Sequence, residues 1–463
     1  MLVPMSWLRA VLPAVERRTG REVADALLRV GLEVERVQRL GVEHLVVGQV
    51  ASFEAEPQKN GKTIRWCQVD VGDEEPRGIV CGAANFAVGD RVAVSLPGAV
   101  LPGDFTIARR KTYGHWSDGM ICSARELGLG DDHDGILVLE ASAAIGSDAS
   151  ALLDLDDEVL DIAVTPDRGY QLSMRGVARE AAAALGLPFV DPAAIDAPDL
   201  PPGRAVSLDD LDACDRYVAL TVEGLDPTAP SPGWLRDRLL RAGMRPVSLT
   251  VDVTNYVMLE LGQPLHAFDA DTLSGTVRVR GAQGGETITT LDHVDRVLHP
   301  DDVVIADDTG PVALAGVMGG LRTEISAATT RVLIEAAHFP ARPVARAVRR
   351  HRLPSEAARR FERAVDPALC RVAAVAAARL LSEYAGATAV ALTDEDHRPP
   401  GASLTLAADL PTRVGGREVA RASVVTALQT VGCAVSGTDP LIIDAPSWRP
   451  DLVEGIDLVE EVL

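Results

Sequence analysis

Lysine is almost missing from this chain of 463 residues. Lys59, Lys62 and Lys111 are the only three among 45 cationic side chains, which face 67 acidic ones for a formal net charge of −22. So little positive charge excludes a general nucleic-acid coat, because phosphates need cations concentrated somewhere. Any RNA contact must be local. Cysteine pairing is missing too: Cys67, Cys81, Cys122, Cys214, Cys370 and Cys433 form no CxxC pair and have no His at zinc spacing. They read as small buried hydrophobes in a reducing compartment. No apolar run reaches the length of a membrane span, and the opening MLVPMSWLRAVLPAVERR lacks the basic, apolar, small order of a signal peptide. A cytoplasmic protein without a membrane partner is expected. Nucleotide loops also fail. Glu56 stands where a P-loop ending in Gly61-Lys62-Thr63 needs its first glycine, residues 281–285 lack dinucleotide spacing, and the acidic loop 131–134 is out of calcium-loop register.

What is present suggests several domains. Thr19 with Glu22 makes a capping box, and Val23, Leu27 and Val30 follow at helical spacing before Gly31. From His44 the period changes to two. Cys67, Val69 and Val71 alternate with Gln68 and Asp70, and Val92, Val94 and Leu96 with Arg91, Ala93 and Ser95. Such strands have one wet face, and with their Gly and Pro turns they predict an antiparallel barrel. The acidic stretch from Asp154 to Asp161 ends it, and SMRGVAREAAAALG then predicts a helix closed by Gly186. Prolines 192, 198, 201 and 202 mark a linker, a mixed α/β region runs from about 205 to 397, and 397–401 is the last linker.

Four dense segments stand out: SLTVDVTNYVMLELGQPLHAFD (248–269), ALAGVMGG (313–320), VLIEAAHF (332–339) and SEAARRFERAVDP (355–367). Each sets a few polar residues, Thr254, Asn255, His266, Glu335 and Ser355, among apolar ones where they are costly unless paired. Small residues gather beside them at Ala315, Gly316, Gly319, Gly320, Ala336 and Ala337, where backbone can approach a ligand. That describes a pocket wall. The plainer alternatives are an exposed edge-strand Glu335 and a turn at HAFD whose imidazole satisfies the backbone. Residues 342 to 363 hold eight arginines (342, 346, 349, 350, 352, 359, 360, 363) against Glu356 and Glu362, either a solvated helical face or one turned to RNA. Near the end, Asp457, Glu460 and Glu461 fall at i, i+3 and i+4 with Asp451 upstream. That is either an acidic solvated face or a set of hard oxygen ligands suited to magnesium.

Taken with SWLR near the start, IVCGAANFAVGDRVAVSLPGAVLPG, TPDRGYQLSMRGVARE and PSWRPDLVEGIDLVEEV, these segments resemble the bacterial phenylalanyl-tRNA synthetase beta subunit family, over its N-terminal part. The resemblance implies a multidomain α/β protein. Its parts are an N-terminal α/β domain (1–40 plus 152–190) around an OB-fold tRNA-binding-like barrel (41–151), a B3/B4 editing domain (205–397), and a helix-turn-helix-like B5 domain (402–463). The pattern at Leu463 is expected to be interrupted, because family members continue into further domains.

The resemblance also implies function. The family attaches phenylalanine to tRNA(Phe) with ATP, the ligation site being on the alpha subunit of a heterotetramer of two alpha and two beta chains, and the beta chain hydrolyses mischarged tyrosyl-tRNA(Phe). No residue here is expected to catalyse ligation. Thr254, Asn255, His266, Ala315, Gly316, Glu335, Ser355 and Ala357 match the editing pocket, with Glu335 and the Gly316 N–H at the positions that hold the tyrosine hydroxyl and His266 placing water. Asp451, Asp457, Glu460 and Glu461 match positions that bind Mg²⁺ together with the alpha subunit. Ser355 stands where the family often has Thr, and Ala364 where Gly is frequent. Two other readings remain open: a free-standing tRNA-binding module and a trans-editing hydrolase without a ligase role.

Overall fold

The computed structural model describes every residue except Leu40, Lys59, Asn60, Lys62, Asp104, 130–134, Asp154 and Asp156. The acidic loop 131–134, two of the three lysines and the start of the acidic stretch at Asp154 therefore lie outside the described residues. The chain divides into two compact units: Met1–Val3, Trp7–Glu35 and Asp161–Leu463 form one, and Pro4–Ser6 with Arg36–Leu160 the other.

The smaller unit is an antiparallel sheet of six strands. The long strand Leu45–Pro57 sits between Thr63–Asp70 and Arg91–Ser95, Arg77–Cys81 extends one side, and Met120–Ile121 and Val138–Leu139 both pair with Arg91–Ser95 on the other. Met120–Ile121 also lies against Arg77–Cys81, and the Asp118 N–H donates to Gly78 O at 2.9 Å. The sheet is thus nearly closed into a barrel, which leaves little free edge. The alternation seen in the sequence is realised, since Cys67, Val69, Val71, Val92 and Val94 join Val50 and Ile79 in one apolar cluster. One detail differs. Ala93 and Ser95, expected on a wet face, are fully buried. Ala93 packs with Leu45, Val47, Ala99 and Ile107 in a second cluster, so this strand is covered on both sides.

In the larger unit, Thr19 and Glu22 close the expected capping box at the start of helix Gly20–Arg29. This helix packs on Met174–Leu185, which Ser173 caps and left-handed Gly186 ends. The central region has two sheets. Strands Leu265–Asp269, Arg331–His338, Arg216–Glu223 and Thr388–Asp396 form one, in that order and all antiparallel. One side of it is covered by helix Cys370–Ala385, on which helix Leu249–Leu261 packs in turn. The other side meets the second sheet, built from Val206–Leu208, Val277–Gly281, Val303–Asp307, Gly310–Leu314 and Met318–Gly319, through a core that includes Tyr217, Phe268, Leu333, Ile305, Leu314 and Phe361. Residues 404–463 add a three-stranded sheet and helices Leu410–Gly415, Arg421–Thr430 and Gly455–Glu460 around their own apolar cluster.

Candidate functional site

Strand periodicity explains how a carboxylate enters this core. Leu333 and Ala337, two residues either side of Glu335, both belong to the cluster between the sheets, so alternation points Glu335 the same way. Arg331–His338 is an interior strand, flanked on both sides, which removes the exposed-edge alternative. Glu335 is 6% exposed and makes no hydrogen bond or ion pair among the described residues. Burial alone pushes its carboxyl up to about 8, since a buried unpaired carboxylate is better neutralised than kept charged.

His266 lies directly across from Glu335 in the ladder. HAFD is strand here, in Leu265–Asp269, and not a turn. The ring meets Phe268 edge-on with centroids 4.4 Å apart, and its Nε2 is covered without a partner among the described residues. Burial brings the imidazole down to about 4, so it is neutral at pH 7. Gly319 makes room for it. A Cβ at that position would stand 2.4 Å from Cε1 and 2.6 Å from Nε2 of His266.

Gly316 is required twice over. Its φ is +67°, and a Cβ would come within 3.0 Å of both Phe361 and Val344. Its neighbours' N–H groups donate to protein carbonyls, Ala315 to Val303 and Val317 to Leu314. The Gly316 N–H makes no hydrogen bond among the described residues. Glu335, Gly316, His266 and Ala357 all line one cavity of about 70 Å³, walled otherwise by apolar groups such as Ile305, Met318 and Phe361. Thr254 and Asn255 line a second, larger cavity of about 400 Å³, and Leu265 and His266 belong to both. Helix Leu249–Leu261, ended by left-handed Gly262, presents that pair. Thr254 Oγ1 donates to Val251 O at 2.8 Å, while the Asn255 amide has no partner among the described residues.

Two expected residues do not line either cavity. Ala315 is buried beside Gly316. Ser355 caps helix Glu356–Phe361 by accepting from Ala358 N–H and donates to Val317 O at 3.0 Å, so it ties that helix to the loop after Gly316. Ala364 has φ +65°, a left-handed position that glycine fills at no cost. Sequence reasoning passed over Phe361, although it lies one helical turn after Ala357 and stacks edge-on with Phe339 at 5.3 Å. That i, i+4 spacing was the available signal.

Half of the arginine run is committed internally. Arg360 is 1% exposed and donates to Leu172 O and Glu356, Arg359 pairs with Glu356 at 3.6 Å, and Arg350 pairs with Asp302. Arg342, Arg346 and Arg349 remain exposed on one side of helix Ala341–His351, without ion pairs among the described residues.

The four carboxylates near the end are not gathered for a metal. Arg449 lies between two of them, donating to Asp451 and to Glu461 at 2.6 Å each, and Arg168 holds Glu461 from another side at 2.7 Å. Asp457 accepts the Val453 and Glu454 N–H groups as a helix cap. Glu460 is exposed. No set of three or more His, Cys, Asp or Glu side chains able to hold a metal occurs among the described residues. Arginines take up Asp451 and Glu461, Asp457 is spent on a helix cap and Glu460 stands apart, so these residues as arranged do not fit Mg²⁺.

Comparison with known proteins follows the same lines. The B3/4 domain model matches residues 213–386, around both cavities, the model described as "Putative tRNA binding domain" matches 45–148, and the tRNA synthetase B5 domain model matches 404–463. The phenylalanine–tRNA ligase beta subunit of Streptomyces avermitilis is 54% identical over all of this chain and 57% of its own length, and that of Thermobifida fusca 52% identical over the same shares. By sequence, the chain is similar along its whole length to the phenylalanine–tRNA ligase beta subunits. It spans little more than half the length of these curated relatives. An N-terminal fragment of the phenylalanyl-tRNA synthetase beta-subunit from Pyrococcus horikoshii overlays with a TM-score of 0.35 at 15% identity, covering 66% of this chain and 86% of that one.

Proposed function

We propose that this chain is the editing part of a phenylalanine–tRNA ligase beta subunit and hydrolyses tyrosine esterified to tRNA(Phe). One observation carries the reading: the small apolar cavity holds a carboxyl, Glu335, and a backbone N–H, Gly316, that have no partner among the described residues. A pocket made for phenylalanine admits a ligand that merely adds a hydroxyl, so the ligase needs a second site that recognises that hydroxyl. Tyrosine entering the cavity pairs its phenol oxygen with both groups. Phenylalanine leaves them unpaired, at about 1–3 kcal/mol.

The larger cavity then takes the ester and the terminal ribose. Thr254 and Asn255 orient the ribose, and neutral His266, shared by both cavities, holds water against the ester carbonyl. Water adds to that carbon, the bond to the ribose oxygen breaks, and tyrosine leaves as its carboxylate while the ribose regains its proton. An imidazole near 4 is too weakly basic for more than positioning.

The finer domain arrangement belongs to the same proposal: a barrel of OB type at 41–151 inserted in an N-terminal domain of 1–40 and 152–190, an editing domain at 205–397, and a B5 domain at 402–463. Ligation, with its ATP and Mg²⁺, is assigned to an alpha subunit in a heterotetramer of two alpha and two beta chains in the cytoplasm. The barrel and the exposed Arg342, Arg346 and Arg349 supply contacts to the tRNA. The test is deacylation of preformed tyrosyl-tRNA(Phe) and phenylalanyl-tRNA(Phe) by the alpha–beta enzyme containing this chain. Rapid loss of tyrosine only is expected, and equal rates for the two esters would reject the reading.

A further inference from the structure

The barrel unit carries a small hairpin whose strands are Arg110–Thr112 and His115–Ser117. Tyr113 and Gly114 make its two-residue turn with φ of +50° and +91°, the mirror-image type that suits strand twist and that a tyrosine adopts only at a cost. Pairing sets His115 opposite Thr112, Trp116 opposite Lys111, and Ser117 opposite Arg110. Opposed residues share a face, so the hairpin has two unlike sides.

One side is anchored to the barrel. Ser117 is buried, accepting the Val80 N–H at 3.1 Å and donating to Gly119 O at 3.0 Å. His115 stacks on Trp66 with centroids 4.5 Å apart and bonds Glu56 at 2.9 Å. The other side faces outward with Lys111 and Trp116, and the Arg109 guanidinium lies 5.4 Å from the Trp116 ring centroid. Trp116 is 54% exposed and Tyr113 46%. None of Arg109, Arg110 and Lys111 has a carboxylate partner among the described residues.

In a chain of net charge −22, two cations beside an open indole, Arg109 and Lys111, with no carboxylate partner among the described residues, need a reason. A half-exposed ring with Arg109 over it and Lys111 across from it suits a stacked nucleobase whose phosphates meet the cations.

We propose that this hairpin holds an unpaired stretch of RNA, with a base stacked on Trp116, its neighbour against Tyr113, and the intervening phosphates on Arg109 and Lys111. The proposal rests on the reading of the barrel as an RNA-binding unit, and adds which element does the binding and that the bound nucleotides are unpaired.

The test is equilibrium binding of the full chain to a tRNA(Phe) transcript and to a short single-stranded RNA across a salt series, with melting temperature as the fold control. Trp116→Ala should weaken binding to the single strand by about fivefold or more. Arg109→Ala with Lys111→Ala should weaken binding and lower the salt slope by about 1–2. Duplex RNA should compete poorly. If the unaltered chain bound neither RNA, the RNA-binding reading of the barrel would fall and the proposal with it. If it bound both and the folded variants bound equally well, the hairpin assignment alone would be overturned. Equal competition by duplex RNA or by vesicles of anionic phospholipid would overturn it too.

Discussion

His266 and Glu335 stand directly opposite one another on neighbouring antiparallel strands, yet neither His266 Nε2 nor the Glu335 carboxyl has a hydrogen-bond partner among the described residues. Adjacent, covered and unbonded, they are polar groups held ready for something the protein does not itself supply. Glu335→Ala should therefore slow deacylation of tyrosyl-tRNA by about 5- to 150-fold, the value of one lost contact to a buried polar group. The fold should survive, because no protein contact of that carboxyl is lost. An unchanged rate in single-turnover deacylation, with tRNA affinity measured separately, removes Glu335 from the site.

The same burial gives a pH signature. The Glu335 carboxyl is near 8 in the folded chain and about 4.3 when unfolded. The folded state thus holds the extra proton between these values, and stability falls as pH rises through that window. Replacing it by glutamine removes the titration. The melting temperature of Glu335→Gln should gain on that of the unaltered chain from pH 5 to pH 8 and then level off, and parallel curves would contradict a neutral buried acid.

Gly319→Ala tests the clearance around the imidazole. A methyl group there would stand 2.4 Å from His266 Cε1, so the ring must move out of the position it shares between the two cavities. Editing should drop by at least tenfold, with a stability loss of about 1–3 kcal/mol from overpacking. Full editing by a folded Gly319→Ala enzyme would show that the ring position does not matter.

At the other end of the unit, Arg449 is 1% exposed at its side chain, with Asp451 at 16% and Glu461 at 7%. Removing one member of such a buried set leaves uncompensated charge, so Arg449→Met should cost about 3–5 kcal/mol. Because the arginine already fills the gap between those carboxylates, adding Mg²⁺ or a chelator should leave the melting temperature of this chain unchanged. A rise with Mg²⁺ at millimolar concentration would mean that the carboxylates rearrange.

Elements with a strict local code were readable from the residues. The capping box at Thr19, the two-residue alternation through Cys67 to Val71, and the Gly186 stop are all present in the structure. Ala93 and Ser95 were not, because cover from loops and a distant segment leaves no local pattern. The pocket was legible as unusual polar residues in apolar surroundings, and the structure gathers Glu335, Gly316, His266 and Ala357. Ser355 was misplaced because a helix cap and a ligand contact draw on the same hydroxyl chemistry. At 451–461 helical spacing could not reveal an arginine, Arg449, that folds back onto Asp451 and Glu461.

Helix Gly20–Arg29 packs on Met174–Leu185, while Arg36–Leu160 fold as a separate unit. On a ribosome adding about 5–20 residues per second, roughly 150 residues must emerge before helix Gly20–Arg29 meets its partner, a wait of about 7–30 s. During that interval its apolar stripe of Val23, Ala26 and Leu27 lacks the cover that Met174–Leu185 later provides. The nascent chain should therefore offer that stripe to chaperones until residue 185 clears the exit tunnel, and withdraw it thereafter.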